Sequence, residues 1–143
     1  MMMNLHHKSI VQFIGASKVP GKLAILTEFI PGGNLQTLLT AKTLDINLKL
    51  KIALDIADAL QFLHTNNILH RDIKAENILV VTTNRDAAIN VKLTDFGTAR
   101  SVSEQVTMKF TKGIGTPTYM APGTQFFFDT FDKLTFFILN YLP

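Results

Sequence analysis

The first apolar positions of the chain fall into two short runs. Residues 10–16 read IVQFIGA, residues 23–29 read LAILTEF, and the stretch SKVPG lies between them. Short apolar runs separated by a Pro-Gly turn are typical of paired strands. The pattern therefore predicts an antiparallel β-hairpin near the start of the chain.

A short helix is predicted after this hairpin. Residues 31–33 are Pro-Gly-Gly, which ends the second strand, and Asn34 follows as a residue suited to capping a helix. The apolar residues that this helix would carry are Leu35, Leu38 and Leu39.

A longer helix is predicted from Asp45, which fits its N-cap, to about His64. Its polar residues recur at helical spacing in one narrow stripe, at Asn47, Lys51, Asp55 and Asp58. Lys51 and Asp55 lie four residues apart and are predicted to pair. Because most of the remaining circumference is apolar, this helix is expected to be surrounded by other elements.

Two further β-rich segments follow the long helix. Residues 77–82 read NILVVT, residues 89–96 read INVKLTDF, and the turn-prone NRDAA joins them. A second hairpin is predicted here. Beyond Gly97 the chain to Lys112 is rich in Ser, Thr and charged residues without a sustained period, which predicts a loop.

Composition limits the chain to one modest globular domain. It has 143 residues, of which 47% are hydrophobic and 17% charged. The absence of cysteine excludes disulfides, iron–sulfur clusters and thiolate zinc sites, and favours a reducing compartment, so a cytoplasmic location is expected.

Charge and hydropathy argue against two further classes of function. The net charge is +3, but Lys and Arg are scattered and no run of five like charges occurs, so no nucleic-acid partner is expected. No window approaches the roughly 18 consecutive apolar residues of a membrane span, so none is expected.

Two motifs flank the second hairpin. HRDIKAEN occupies residues 70–77, DFG occupies residues 95–97, and GTPTYMAP follows at 115–122. In this order and spacing they resemble the catalytic loop, metal-binding element and substrate-docking segment of eukaryotic protein kinases. The sequences of the segments IVQFIGA, LTEFIPGGNL and LKIALDIADALQFLH are most similar to those of the tyrosine-kinase-like group of Ser/Thr kinases.

The resemblance implies roles for the polar residues of these motifs. Asp72 would accept the proton of the substrate hydroxyl, and Lys74 would contact the transferred phosphate and Thr116. Phosphoryl transfer needs cations that neutralise charge on the phosphate oxygens, and Mg²⁺ prefers hard oxygen ligands. Asn77 and Asp95 are thus the expected magnesium ligands, and Gly97 is expected to permit the backbone bend after them.

The resemblance also implies an adenine site. Thr27 corresponds to the gatekeeper residue at the back of the adenine pocket, and residues 28–30, from Glu28 to Ile30, match the hinge that binds adenine through its backbone. Leu79 matches a residue that stacks beneath adenine. The implied cofactors are ATP and Mg²⁺, and the implied partner is a protein substrate; the oligomeric state stays open.

The resemblance covers only the middle of a kinase domain, from about Asn4 to Pro122. The Gly-rich loop, the strand lysine and the helix glutamate of the family have no counterpart, and Gly123 stands where the family has the Glu of A-P-E. The implied fold is a partial α+β, two-lobed kinase fold. Its expected divisions are a small-lobe remnant and hinge at 1–33, a large-lobe portion at 34–123 and an atypical Phe-rich tail at 124–143.

Two interpretations of function follow. The first is a partial protein serine/threonine kinase domain that transfers phosphoryl groups from ATP to protein hydroxyls in signalling. The second is a catalytically inactive, truncated kinase relative that acts as a binding module, or a mispredicted gene product.

Overall fold

The computed structural model describes residues 5–19, 22–101 and 115–119. Within them the elements run in the order β1 (Phe13–Val19), β2 (Lys22–Thr27), α1 (Leu35–Ala41), α2 (Ile46–Thr65), β3 (Ile68–Leu69), β4 (Ile78–Val80), β5 (Val91–Leu93) and β6 (Arg100–Ser101). Short 3₁₀ turns occupy Ala75–Asn77, Phe96–Thr98 and Pro117–Tyr119. The Phe-rich tail and most of the loop predicted after Gly97 lie outside the described residues.

The predicted first hairpin is present with shifted bounds. Strands β1 and β2 pair antiparallel from Phe13↔Thr27 to Val19↔Lys22, so residues 17–19, predicted as part of a turn, belong to β1. Residues 10–12, predicted as strand, lie before it, and Ile10 instead forms a parallel bridge to Leu93 in β5. Long-range pairing with β5 has overridden the local apolar run.

Both predicted helices are present, with the predicted caps. The Asn34 side chain accepts a hydrogen bond from the Thr37 amide at 2.8 Å, and Asp45 accepts from the amides of Asn47 and Leu48 at 3.0 and 3.2 Å. These oxygens satisfy N–H groups that have no partner in the first turn of a helix. The long helix ends at Thr65, one residue beyond the predicted end.

The core lies between α2 and the short strands that follow it. Its most deeply buried side chains include Ile52, Ile56 and Leu63 of α2 together with Ile78, Val91 and Leu93 of the second hairpin. The second hairpin, β4–β5, was predicted, but only three residue pairs form its ladder. Sequence reasoning missed the two-residue pairing of β3 with β6.

Several apolar side chains of the hairpin and of α2 are exposed. On β1 and β2 they include Ile14, Leu23 and Ile25, and on α2 they are Ile46, Leu50 and Leu54. The residues of α2 recur every fourth position, so they form one stripe along the helix. The neighbouring elements expected around α2 therefore cover the side of Ile52, Ile56 and Leu63, while this stripe is exposed within the described residues.

No helix among the described residues is both long enough and apolar enough to cross a membrane.

Candidate active site

The segment after β3 is fixed by a fully buried histidine. The ring of His70 lies edge-on to Phe96 with 5.1 Å between the centroids, and its Nε2 is 2.9 Å from the Thr94 carbonyl oxygen. Because a carbonyl only accepts, Nε2 carries the hydrogen, which leaves Nδ1 to accept from the Asp72 amide at 3.4 Å. His70 thus ties Asp72 to the segment that precedes the DFG motif.

Asp72 lies at the centre of a cluster of polar side chains. Its Oδ2 is 2.8 Å from Lys74 Nζ and accepts from Asn77 Nδ2 at 3.1 Å, and its Oδ1 accepts from the Thr116 hydroxyl at 2.8 Å. Lys74 also donates to the Thr116 hydroxyl at 3.1 Å. The contact predicted between Lys74 and Thr116 is therefore present, across 42 positions of sequence.

These contacts shift the acid–base properties of both charged groups. Burial by itself raises the pKa of Asp72, but the hydrogen bonds from Lys74, Thr116 and Asn77 and the charge of Lys74 outweigh it and hold the pKa below its usual value. The hydrogen bond to Asp72 raises the pKa of Lys74, and the charges of Asp72, Glu76 and Asp95 add to this against partial desolvation. Both groups are charged at neutral pH.

The second hairpin brings Asn77 and Asp95 to the same end of its ladder. Asn77 directly precedes β4, Thr94 directly follows β5, and the Thr94 amide donates to the Asn77 carbonyl at 2.9 Å. Asp95 comes one residue later and is exposed. Asn77 uses its amide nitrogen to bind both the Asp72 carbonyl and carboxylate, at 2.9 and 3.1 Å, which leaves its amide oxygen without a donor among the described residues.

Comparison with known families gives a match for most of the chain. The family model described as the protein kinase domain matches residues 1–124. The chain belongs to the protein kinase family. The family as a whole uses ATP and Mg²⁺.

Individual kinases from two organisms are similar to the chain. It is 37% identical over 124 residues to a probable serine/threonine-protein kinase of Dictyostelium discoideum, covering 85% of the chain and 13% of that protein. The serine/threonine-protein kinase STY46 of Arabidopsis thaliana is 40% identical over 85% of the chain and 20% of its own length. The dual specificity protein kinase shkC of Dictyostelium discoideum is 37% identical over 89% of the chain and 25% of its own length. The chain thus spans a quarter or less of the length of these relatives.

The kinase metal-binding motif has a strained backbone at a position that sequence reasoning misassigned. The predicted bend residue, Gly97, has a negative φ, whereas Asp95 has φ 61° and ψ 74° and uses its Oδ1 to accept from the Gly97 amide at 3.2 Å. Arg71, beside Asp72, also has a positive φ, of 68°. Non-glycine residues in this region are uncommon and cluster at functional sites. Both kinase motifs therefore hold one such residue.

The segment after the predicted hinge is joined to the second hairpin by backbone bonds. The Gly32 amide donates to the Val80 carbonyl at 3.1 Å, and the Val80 amide donates to the Gly33 carbonyl at 2.8 Å. Leu79, which precedes Val80 in β4, forms an antiparallel bridge with Asn34. The structure therefore brings Leu79 beside the segment that follows the hinge.

The side chain of Glu28, in the predicted hinge, is held by a lysine that sequence reasoning did not assign to the site. Lys92 Nζ lies 2.6 Å from Glu28 Oε1, which also accepts from the Gln12 amide at 2.8 Å. Burial by itself raises the pKa of Glu28. The hydrogen bonds from Lys92 and Gln12 and the charge of Lys92 outweigh this effect, so the pKa lies below its usual value. Since Lys92 and Leu79 are cross-strand partners, the ion pair fixes the hinge over the β4–β5 hairpin.

The remaining two adenine-site candidates flank Glu28. Thr27 is the last residue of β2, where it pairs with Phe13, and Ile30 is half-buried.

No sequence signal pointed to Lys92, because an isolated strand lysine is most often a solvated one.

Proposed function

We propose that this chain carries the catalytic loop and the metal-binding motif of a protein serine/threonine kinase, which transfers the γ-phosphoryl group of ATP to a Ser or Thr hydroxyl of a protein. The observation that supports this most strongly is the network around Asp72. It places an ammonium group, a side-chain amide and a hydroxyl each within 2.8–3.1 Å of the Asp72 carboxylate.

In this proposal Asp72 orients the substrate hydroxyl and takes its proton as the phosphoryl group is transferred. Its lowered pKa keeps it ionised and able to accept. Thr116 and Asn77 fix the orientation of its carboxylate, so the entropic cost of aligning the acceptor is met before substrate binds. The ammonium group of Lys74 would lie against the transferred phosphate and stabilise its negative charge.

Asn77 and Asp95 would hold Mg²⁺. The free amide oxygen of Asn77 and the exposed carboxylate of Asp95 are hard oxygen donors, and Mg²⁺ is commonly held by one or two such protein ligands together with substrate phosphates and water. The bound ion would neutralise negative charge on the phosphate oxygens. The residues present therefore fit the group that the family uses.

The nucleotide base would lie between the hinge and β4. In this proposal the backbone at Glu28 and Ile30 binds adenine, Thr27 closes the back of the pocket and Leu79 packs below the ring. The Glu28–Lys92 ion pair supports this arrangement because it ties residue 28 to the strand that pairs with β4, opposite Leu79.

The direct test is phosphoryl transfer from γ-labelled ATP to a generic protein substrate in the presence of Mg²⁺. Asp72→Asn and Asp95→Asn should each abolish transfer, and Asp86→Asn should not, because Asp86 is exposed in the β4–β5 connection. Phosphoamino-acid analysis of the product should give phosphoserine or phosphothreonine. Equal label with the chain and with both site variants would refute catalysis by this chain.

A second test separates nucleotide binding from catalysis. Mg-ATP should raise the melting temperature of the chain, since a ligand that binds only the folded state stabilises it. The Asp95→Asn variant should show a smaller shift with Mg-ATP than the unaltered chain at equal nucleotide concentration.

Exposed apolar side chains of the first hairpin and of the segment directly after it favour a second candidate, a non-catalytic kinase relative that binds a protein partner. Leu23 is 74% exposed and Phe29 87% exposed. Apolar surface of this kind is common at protein interfaces. A melting transition without any response to Mg-ATP, together with absent transfer, would select this candidate over the first.

A further inference from the structure

The polar stripe of α2 has partners other than those that sequence spacing predicts. Lys51 and Asp55 were predicted to pair along the helix, but both side chains bind the backbone of the connection between β4 and β5. Asp55 is only 8% exposed and its Oδ2 accepts from the amides of Asn90 and Val91 at 2.7 and 3.2 Å. A buried carboxylate that receives two backbone amides forms charge-assisted bonds, which are stronger than neutral ones.

Lys51, one helical turn before Asp55, binds an earlier part of the same connection. Its Nζ donates to the carbonyl of Arg85 at 2.7 Å and also to the carbonyl of Ala87. We call Lys51 and Asp55 the α2 clamp. The clamp spans the connection, since one member holds its middle and the other holds its junction with β5.

The connection is also closed from within by Asn90. Its Nδ2 donates to the carbonyls of Thr82 and Asn84 at 3.0 and 2.8 Å, and its own carbonyl accepts from the Val81 amide at 2.8 Å. Asn90 is fully buried. The backbone held by Asp55 is therefore part of a compact unit, so the clamp fixes the whole connection and not one residue of it.

The position of Asp95 depends on the register of a very short ladder. Strands β4 and β5 share three residue pairs, from Ile78↔Leu93 to Val80↔Val91. Asn77 lies just outside one end of this ladder and the α2 clamp acts at the other. A slip of one residue would move Asp95 by about 3.3 Å along the strand relative to Asn77 and turn each β5 side chain to the other face. At the Asn77 end, Leu93 also bonds through its backbone to Ser9 and Val11. The clamp anchors the opposite end of β5, at Asn90 and Val91.

We propose that Asp55, assisted by Lys51, is a positioning residue for the metal-binding pair, because it fixes the register of β5 against β4 and so the placement of Asp95 beside Asn77. The inference rests on the proposed function in that Asn77 and Asp95 are its metal ligands. The clamp itself touches neither nucleotide nor metal. Its effect on the site runs through the backbone of β5.

The ligand-free test is amide-resolved hydrogen exchange measured by NMR on the full chain. The Thr94 amide reports the register, because it donates to the Asn77 carbonyl at the end of the ladder far from the clamp. Asp55→Asn keeps an acceptor oxygen but loses the charge, and should raise exchange at Thr94 by about tenfold. Asp55→Leu should raise it further, and the Leu63 amide in α2 serves as the reference for global unfolding.

The matched control is Asp58→Asn. Asp58 is the next acidic residue on α2, but its carboxylate binds Lys8 at 3.0 Å and lies 3.6 Å from His7, outside the connection. The Asp58→Asn substitution should leave the exchange rate of the Thr94 amide unchanged relative to that of the Leu63 amide. Faster exchange at Asn90 and Val91 with unchanged exchange at Thr94 in Asp55→Asn would overturn the proposal, because the clamp would then act locally.

The second readout is the dissociation constant of Mn²⁺ in the presence of ADP, measured by electron paramagnetic resonance. Asp55→Asn should weaken Mn²⁺ binding about threefold to tenfold at a temperature where the protein is fully folded, and Asp58→Asn should not. A lower melting temperature with unchanged Mn²⁺ affinity would show a purely structural role and overturn the proposal. If the unaltered chain itself binds no Mn²⁺, the proposed function fails, while Thr94 exchange still decides whether the clamp sets the register.

Discussion

At the scale of single residues, the environment of the Asp72 carboxylate differs sharply from that of a solvated side chain. It is buried, yet hydrogen bonds from three side chains, one of them the cationic Lys74, keep its pKa below the usual value. A carboxylate in this state contributes stability that depends on its remaining ionised.

This environment predicts a specific dependence of stability on pH. Because the folded-state pKa of Asp72 is lowered, the unfolded chain binds the proton more readily as the pH falls. The contribution is fully present above the unfolded-state pKa of about 3.9 and is lost as the pH falls through the lower folded-state pKa. Urea unfolding between pH 7 and pH 3 should show a shallower acid limb in Asp72→Asn than in the unaltered chain. An identical slope in both would contradict the shift, and Asp86→Asn controls for the substitution itself.

A glycine after the hinge is required by a close backbone approach. A Cβ placed on Gly32 would lie 2.2 Å from the Val80 carbonyl oxygen, closer than any real contact. Gly32→Ala must therefore push the hinge away from β4, and we expect a loss of about 1–3 kcal/mol of stability, in the range of overpacked sites. Gly15→Ala is the matched control, because nothing lies within 4 Å of its Cβ. Thermal or urea unfolding of both variants measures the difference, and equal midpoints would refute the clash.

At the scale of elements, the helix caps show how local sequence fixes element boundaries. Both helices begin where a side-chain oxygen accepts amides of the first turn. For α2 the cap is Asp45, whose carboxylate also lies 3.7 Å from Arg85 on the surface.

Removal of the Asp45 cap of α2 should lower the free energy of unfolding by about 1 kcal/mol. Asp45→Ala leaves two amides of the first turn without a protein acceptor, whereas Asp45→Ser keeps an acceptor oxygen and should recover most of the loss. Urea unfolding compares the two. Arg85→Ala isolates the exposed ion pair and should have a much smaller effect, since surface pairs contribute little. If Arg85→Ala were as destabilising as Asp45→Ala, the ion pair rather than the cap would be responsible.

At the scale of the whole molecule, the first hairpin makes few contacts with the other described elements. It exposes apolar residues on both strands, and a two-stranded hairpin alone is marginally stable in water. Its attachment includes the bridge of Ile10 to Leu93 and the ion pair of Glu28 with Lys92. The hinge therefore depends on β5 for its position.

Breaking this ion pair should loosen the hinge more than it lowers global stability. Lys92→Met keeps the side-chain stem but leaves the half-buried Glu28 carboxylate with the Gln12 amide as its remaining described donor. We expect the free energy of local opening at the predicted hinge to fall by about 1–2 kcal/mol, as for a charged hydrogen bond with one partner removed. Faster amide exchange at Gln12 and Glu28, measured against Leu63, tests it. In a double-mutant cycle with Glu28→Gln the two losses should not add, and full additivity would show that the pair is not coupled.

Much of the chain follows from rules that act over a few residues. Period and composition place two helices and two hairpins, capping residues set the starts of the helices, and the order of HRD, Asn, DFG and the Thr116 segment identifies the catalytic elements. The bounds of β1 and the pairing of β3 with β6 were not predictable in this way. Both depend on distant partners, and a run of two paired residues carries no period.

The sequence by itself determined the kinase family and the helix caps, and its motifs predicted the contact between Lys74 and Thr116 that the structure contains. The tertiary structure alone decided that Lys51 and Asp55 bind the β4–β5 connection, that Lys92 holds Glu28 and that Asp95 rather than Gly97 adopts the left-handed backbone. For the first two of these the physical reason is distance along the chain. The bond from Asn90 to Asp55 spans 35 positions and the bond from Lys92 to Glu28 spans 64, so no local pattern of spacing or propensity encodes either one.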